Sequence, residues 1–287
     1  MTDFLTRLAG APISWGVCEV PGWGLELQPR RVLGEMQQLG LTATELGSDG
    51  YLPTDPAELK DLCAEFGLEM IGGFVPLVLH EAAELDATIE AARRTAELMS
   101  AAGASVFVTS AVTDWEWGPR QDLTSDDWNF AAKTLSIVDD ILGEFGMTQA
   151  IHPHLRTVVE TRADIESLLD VSDVGWTFDM GHMQIGGMDP LEFIDIAFDR
   201  IRHVHLKDVV MDLAGPVFAG HQSIMDGVQA GMFCNLGRGD VPIGAIVTEL
   251  EARGYDQWYV LEQDAAITAG EPAVGAGSVR RFRFSQR

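Results

Sequence analysis

Cysteine is scarce in this sequence: three residues in 287, Cys18, Cys63 and Cys234, far apart and odd in number. That excludes a disulfide framework and points to reduced thiols. No apolar run is long enough to span a bilayer, and no basic-then-apolar leader opens the sequence, so a cytoplasmic protein is expected. Basic residues are few, 19 Lys and Arg against 44 Asp and Glu, for a formal net charge of −25. Such a surface repels phosphate backbones and acidic membranes, which argues against nucleic acid and membrane partners. The Gly-rich fingerprint of dinucleotide binding is missing after the first expected strand.

What remains is a chain that is 46% hydrophobic, enough for one large core. Strand and helix signals alternate along nearly all of it. Strands are expected at A-P-I-S-W-G-V (Ala11–Val17, ending at an exposed Trp15-Gly16), Leu41–Gly47, Leu68–Phe74, Ala104–Ser110, Met147–His154, Val174–Asp179, Arg202–Val209 and Trp258–Asp264. Helices fall between them, opened by Pro29, Asp55-Pro56, Ser125-Asp126-Asp127 and Asp189-Pro190 and closed by Gly40, Gly67, Gly103, Gly146 and Gly254. A long excursion runs from Val210 to Asp240, and a short helix or ordered tail is expected after residue 264. Eight strand–helix units in this length predict a single α/β domain over residues 1–287, a (β/α)8 TIM barrel.

Under that fold the chemistry-bearing residues agree in position. In R-H-V-H-L-K-D-V (Arg202–Val209), alternation puts His203, His205 and Lys207 on one face and Val204 and Leu206 on the other. Two imidazoles and an ammonium make a poor core and a good site. Glu45, His152 and His154, Asp179, and Glu262 end other strands, and strand ends meet at one mouth of a barrel. His152, Asp179, His205 and Glu262 are thus candidate metal ligands, with His154 as the substitute for His152. Mixed imidazole and carboxylate donors suit Mn²⁺, Co²⁺, Zn²⁺ or Fe²⁺ better than Ca²⁺. Each residue alone has a plainer reading: a hydrogen-bonded core histidine, a turn after Asp179, a solvated strand end at Glu262.

The motifs T-E-L-G-S-D-G-Y-L-P from Thr44, H-P-H-L-R-T-V-V-E-T from His152, F-D-M-G-H from Phe178, H-V-H-L-K-D-V from His203, L-G-R-G-D-V from Leu236 and V-L-E-Q-D from Val260 carry a resemblance. The chain resembles the xylose-isomerase-like barrels, the sugar phosphate isomerase/epimerase superfamily, and within it the inosose dehydratase branch. The resemblance implies one divalent metal ion (Mn²⁺ or Co²⁺ favoured, Zn²⁺, Fe²⁺ or Mg²⁺ as alternatives) held by His152, Asp179, His205 and Glu262. It implies His182 and Lys207 on substrate oxygens. Two departures stand out: His152 where many superfamily members have Glu, and Arg156 where the dehydratases usually have Gly. An arginine there would suit a carboxylate or phosphate on a different substrate.

Two carboxylates and two imidazoles around M²⁺ sum to zero charge, a stronger Lewis acid toward a ketone than a three-carboxylate site. The expected activity is a metal-dependent hydro-lyase that dehydrates a keto-cyclitol or keto-sugar. Glu262, or His152 if it is not a ligand, removes the α-proton. Lys207 and His182 serve the enediolate and the leaving hydroxyl, and Trp15, Glu45, His154 and Arg156 line the pocket. Trp115 and Trp117 are candidates to close over it. The rivals are a sugar isomerase or 3-epimerase, a β-eliminating lyase on 3-keto-glycosides, and a non-catalytic sugar-binding barrel. The only partners expected are a small polyol or keto-sugar and a second copy in a symmetric homodimer.

Overall fold

The computed structural model describes residues 4–18, 20, 23 and 26–265. Eight parallel strands close into one barrel: β1 (Leu8–Gly10), β2 (Ala43–Glu45), β3 (Glu69–Leu77), β4 (Val106–Ala111), β5 (Thr148–Ile151), β6 (Gly175–Asp179), β7 (Ile201–Leu206) and β10 (Tyr259–Leu261). Their order around the ring is β1-β10-β7-β6-β5-β4-β3-β2, and β2 pairs back to β1. The (β/α)8 expectation holds. The tail expected after residue 264 lies, but for Ala265, outside the described residues.

The helices sit where periodicity and punctuation put them. Helix α1 (Pro29–Gln38) starts on proline, whose missing N–H costs nothing in a first turn. Asp55 caps α2 (Pro56–Glu65) by accepting from the Ala57 and Glu58 amides. Helix α3 (Leu85–Ala102) stops at Gly103, which takes φ 106°. The cap of α4 (Ser125–Glu144) is Thr124, one residue earlier than expected, in a reciprocal box with Asp127. Thr161 and Asp164 build the same box on α5 (Arg162–Val171). Helix α7 (Pro190–Ala197) and, after the excursion, α10 (Ile243–Arg253) complete the outer ring.

Three places differ from expectation. The first strand is Leu8–Gly10, and Pro12–Trp15 forms a 3-10 turn. Pro12 has no N–H for a ladder, so the strand ends before it. Trp15 is not exposed; it is buried and its indole donates to Glu35 on α1 at 2.9 Å. Second, a short helix α6 (Met180–Ile185) follows β6 directly, with Asp179 as its cap. Gly181 permits this, because a Cβ there would lie 2.8 Å from Lys207 Cγ. Third, the seventh strand breaks at Lys207. Residues Asp208–Val209 (β8) leave the barrel and pair antiparallel with Phe233–Cys234 (β9), flanking the helices α8 (Met211–Phe218) and α9 (Ile224–Gln229) of the excursion.

Register sets the interior. Ala43, Ala9, Val260, His205 and Asp179 are successive partners across five strands, so they share one height and one facing. Val204 and Leu206 face the helices instead and join the main core. Ala9, Ala11, Ala43, Ile71 and Val260 form a separate small cluster. The small side chains of β1 and β2 leave interior room that polar groups from the other strands occupy. Cys63 and Cys234 form no disulfide, and no helix of the described residues is long and apolar enough to cross a membrane.

Buried Asp208 anchors the excursion. Its carboxylate accepts from the amides of Val209, Gly237, Arg238, Gly239 and Val241 at 2.7–3.2 Å. Asp208→Ala should therefore cost about 2–4 kcal/mol, read as a lower urea midpoint at unchanged slope. A loss below half a kcal/mol would show that the loop does not depend on this carboxylate.

Candidate active site

The barrel mouth holds a dense, buried polar cluster. Strand β7 delivers His203 and His205, both 1% exposed, and Lys207 follows its end at 0%. Strand β6 delivers Asp179 as the register partner of His205. His152 and His154 follow β5, and Glu262 and Asp264 follow β10. Glu45 reaches in from the end of β2, with β1 and β10 standing between it and β7.

Three centres organise it. Glu45 Oε1 lies 2.8 Å from His203 Nε2 and 3.1 Å from His205 Nε2. Asp179 Oδ2 lies 3.4 Å from His152 Nε2 and 3.6 Å from His205 Nδ1, while its Oδ1 accepts the His182 amide at 2.8 Å. Lys207 Nζ lies 3.0 Å from Asp264, 3.2 Å from Glu262, 3.5 Å from Asp179 and 3.0 Å from His182 Nε2. The ammonium also sits 4.8 Å from the Phe233 ring centre, over its π-face.

Electrostatics follow from burial and neighbours. Burial alone would raise the Glu45, Asp179 and Glu262 carboxyls. Facing imidazoles and Lys207 overturn it, holding Glu45 and Asp179 well down and Glu262 at about 2. Asp264 goes the other way, pushed by burial up to about 6 against the pull of Lys207. Burial lowers His152, His182 and His203, and takes His154 to about 3. Burial would lower His205 too, but Glu262, Glu45 and Asp179 overturn it and raise its basicity well above that of an ordinary imidazole. Four carboxylates, Glu45, Asp179, Glu262 and Asp264, thus face the Lys207 ammonium and the His205 imidazole, and negative charge is left in surplus.

Such a surplus suits a divalent cation, and the donor atoms fit one. The ligand atoms of His152, Asp179 and His205 lie within 4.8 Å of one another. Glu262 Oε2 touches His205 Nδ1, yet both atoms are buried without hydrogen-bond geometry to any partner among the described residues. The four expected ligands therefore come together, His152 ahead of His154. Two other triads are also close enough to share an ion, Glu45–His203–His205 and His154–His182–Asp264. Hydrogen bonds within the first already close it.

The other expected site residues divide. His182, fully enclosed in α6, touches Lys207, and its ring lies 4.1 Å from that of His154. His154 gives its Nδ1 proton to the Leu155 carbonyl at 2.8 Å, leaving Nε2 as a lone pair. Trp117 stacks on Phe74 and meets His154 edge-on, so with Phe74 it walls the His152–His154 side. Trp115 turns away to Glu84 and is exposed. Trp15, expected to line the pocket, packs in the core toward α1. Arg156 lies outside the cluster: in a left-handed conformation (φ 67°), it donates to the Val217 carbonyl at the end of α8. Its charge serves a helix terminus there.

Sequence reasoning passed over Asp264, Phe74 and Phe233. Asp264 had a signal, since it stands two residues from Glu262 just as His203 does from His205. Phe233 had none; it comes from the excursion and reaches the site only through the β8–β9 pairing.

Comparison with known proteins agrees with the fold. Residues 33–281 match the family model described as xylose isomerase-like TIM barrel. The chain is 31% identical to an inosose dehydratase of Geobacillus kaustophilus over 91% of this chain and 89% of that one. It is 32% identical to the rhizopine catabolism protein MocC of Rhizobium meliloti, over 93% and 84%. Among solved structures it superposes on a probable 3-DHS dehydratase, AsbF, of Bacillus anthracis with a TM-score of 0.72, at 16% identity, covering 96% of this chain and 98% of that one. It superposes on an IOLI protein crystallised with a zinc atom with a TM-score of 0.71, at 15% identity, covering 97% of each. Both superpositions speak to the fold.

Two outcomes follow from the cluster. Because His152, His154, His182 and His203 are held neutral, their stabilising share is present above about pH 6.5 and is lost as pH falls. His205 and Asp264, shifted upward, oppose this without matching four imidazoles. Chelator-treated protein should therefore melt at lower temperature at pH 5 than at pH 7; an unchanged or higher melting temperature at pH 5 would contradict the neutral assignment. Adding Mn²⁺ or Co²⁺ to the same sample at pH 7 should raise the melting temperature, and Asp179→Asn should remove that rise.

Proposed function

Because this chain belongs to the xylose isomerase-like TIM barrel family, we propose that its site is that of a hydro-lyase dehydrating a keto-cyclitol. The reading rests on the family, on the likeness to inosose dehydratases along nearly the whole chain, and on one feature of the site. Lys207 Nζ joins Glu262 Oε1 at 3.2 Å to His182 Nε2 at 3.0 Å. A carboxylate and an imidazole are thereby linked through one buried ammonium.

His152, Asp179, His205 and Glu262 are the residues that would hold a divalent ion, Mn²⁺ or Co²⁺ by preference. Bound there, it supplies positive charge that acidifies the C–H beside a ketone. The chain does the rest. Glu262 takes the α-proton, and the C–H electron pair passes into the enolate. Lys207 lies against the developing negative oxygen and stabilises it. The enolate then re-forms the ketone and expels the β-hydroxyl, to which the Lys207 ammonium gives a proton so that it leaves as water, while neutral His182 orients that ammonium through Nε2. Lys207 regains its proton from Glu262, 3.2 Å away. The proton taken from carbon thus departs in the water, and every residue returns to its starting state.

The site is one-sided, and this favours elimination over epimerisation. Inverting a carbon requires a proton donor opposite the base. Glu262 and Asp264 both follow β10, whereas the His152–His154 side is walled by Phe74 and Trp117, with His154 held neutral.

Lys207→Met should lower kcat by about 10²–10⁴-fold while metal content stays that of the wild type. The test incubates metal-loaded protein with 2-keto-myo-inositol and follows loss of one water by mass. A product of unchanged mass would sink the dehydratase reading in favour of an isomerase or epimerase.

A further inference from the structure

Glu45 does not line an open pocket. It is 4% exposed and lies across the interior of the barrel, where Ala9 and Ala43 stand in the layer of His205 and offer no bulk. We propose that Glu45 and His203 are a positioning pair that holds His205 in the tautomer with its proton on Nε2, so that Nδ1 is the atom offered to a metal ion.

Three observations carry this. Glu45 Oε1 takes His205 Nε2 at 3.1 Å, which fixes one ring nitrogen as a donor. The same oxygen takes His203 Nε2 at 2.8 Å. His203 thereby braces the carboxylate from one layer deeper, at the height of its register partner Thr177. The opposite nitrogen of His205 then points at Asp179 Oδ2, 3.6 Å away, and at Glu262 Oε2. An imidazole has two ring nitrogens and no memory of which should bind. With Glu45 on one of them, the ring can neither flip nor present Nε2 to the ligand cluster. The Glu45 carboxylate meets His203 and His205, so it acts on the ligand cluster through His205 and is a positioning residue.

The inference rests on the reading of His205 as a metal ligand, and the experiment separates the two. Chelator-stripped full-length protein is titrated with Co²⁺ alone, followed by calorimetry and by the visible Co²⁺ spectrum. Glu45→Gln should weaken Co²⁺ binding about 10–100-fold and alter the spectrum. His203→Gln should weaken it less, because Glu45 still meets His205. A merely structural Glu45 would lower the melting temperature yet leave the Co²⁺ affinity of the folded protein and its spectrum unchanged, and that result overturns the pair. If Glu45→Gln does not fold, ¹⁵N-histidine spectra of the wild type decide. A His205 proton on Nε2 in both the stripped and the Zn²⁺-loaded protein supports the pair, and a proton on Nδ1 in the loaded protein overturns it. Wild-type protein that binds no Co²⁺ removes the metal reading and the pair together. Tight wild-type binding matched by Glu45→Gln removes the pair alone.

Discussion

Negative charge buried in excess at the rim of a closed barrel is the constraint to which the rest of this structure answers. Carboxylates do not enter a low-dielectric interior unless cations or hydrogen-bond donors meet them. Here four of them do so, from β2, β6 and the end of β10. The answer comes from one strand: His203, His205 and Lys207 of β7 and its continuation each meet at least one carboxylate. No open sheet edge is involved. Closure of the ring brings Glu45 within reach of a strand 158 residues further along the chain.

The scaffold is shaped around that meeting. Small residues on β1 and β2 leave the interior free for Glu45. Glycine at 181 lets α6 start directly on Asp179, so the same carboxylate caps a helix, faces His205 and sits beside Lys207. Asp208, next to Lys207, gathers three amides of the excursion and the two that flank it, and so fixes the β8–β9 pair that carries Phe233 to the site. Arg120 plays a matching part on the other side. It pairs with Glu160 and Asp164 and pins the tryptophan loop to the segment after β5. Chemistry that depends on angstrom-scale proton transfers is thus mounted on strand ends and clamped loops. This explains how a strongly acidic chain keeps a lysine fully buried and charged: the ammonium has more carboxylate around it than one proton needs.

The fold was legible in the sequence because its signals are local and repeated. Period-2 alternation in Arg202–Val209 marks a strand, proline and aspartate open helices, and glycine closes them. The likeness of the F-D-M-G-H and H-V-H-L-K-D-V stretches to one superfamily added weight that periodicity alone lacks. The failures were local too. Ala11–Val17 is apolar enough for a strand, but Pro12 ends the ladder and the segment turns, burying Trp15 behind α1. The excursion showed no period, so its helices and Phe233 were invisible until β8 and β9 paired. Arg156 read as a free cation beside the site, whereas tertiary packing gave it the C-terminus of α8.

By itself, then, the sequence determined which residue types stand at the ends of eight strands. That information is carried by nearest neighbours, through alternation, caps and turn residues, and it was sufficient to name His152, Asp179, His205 and Glu262 together. Only the tertiary structure decided which atoms face one another: that Glu45 takes the far nitrogen of His205, that Lys207 stands between Glu262 and His182, and that Asp264 joins them. Those relations depend on register and on ring closure between segments far apart in the chain, and no local pattern encodes a distance across a barrel.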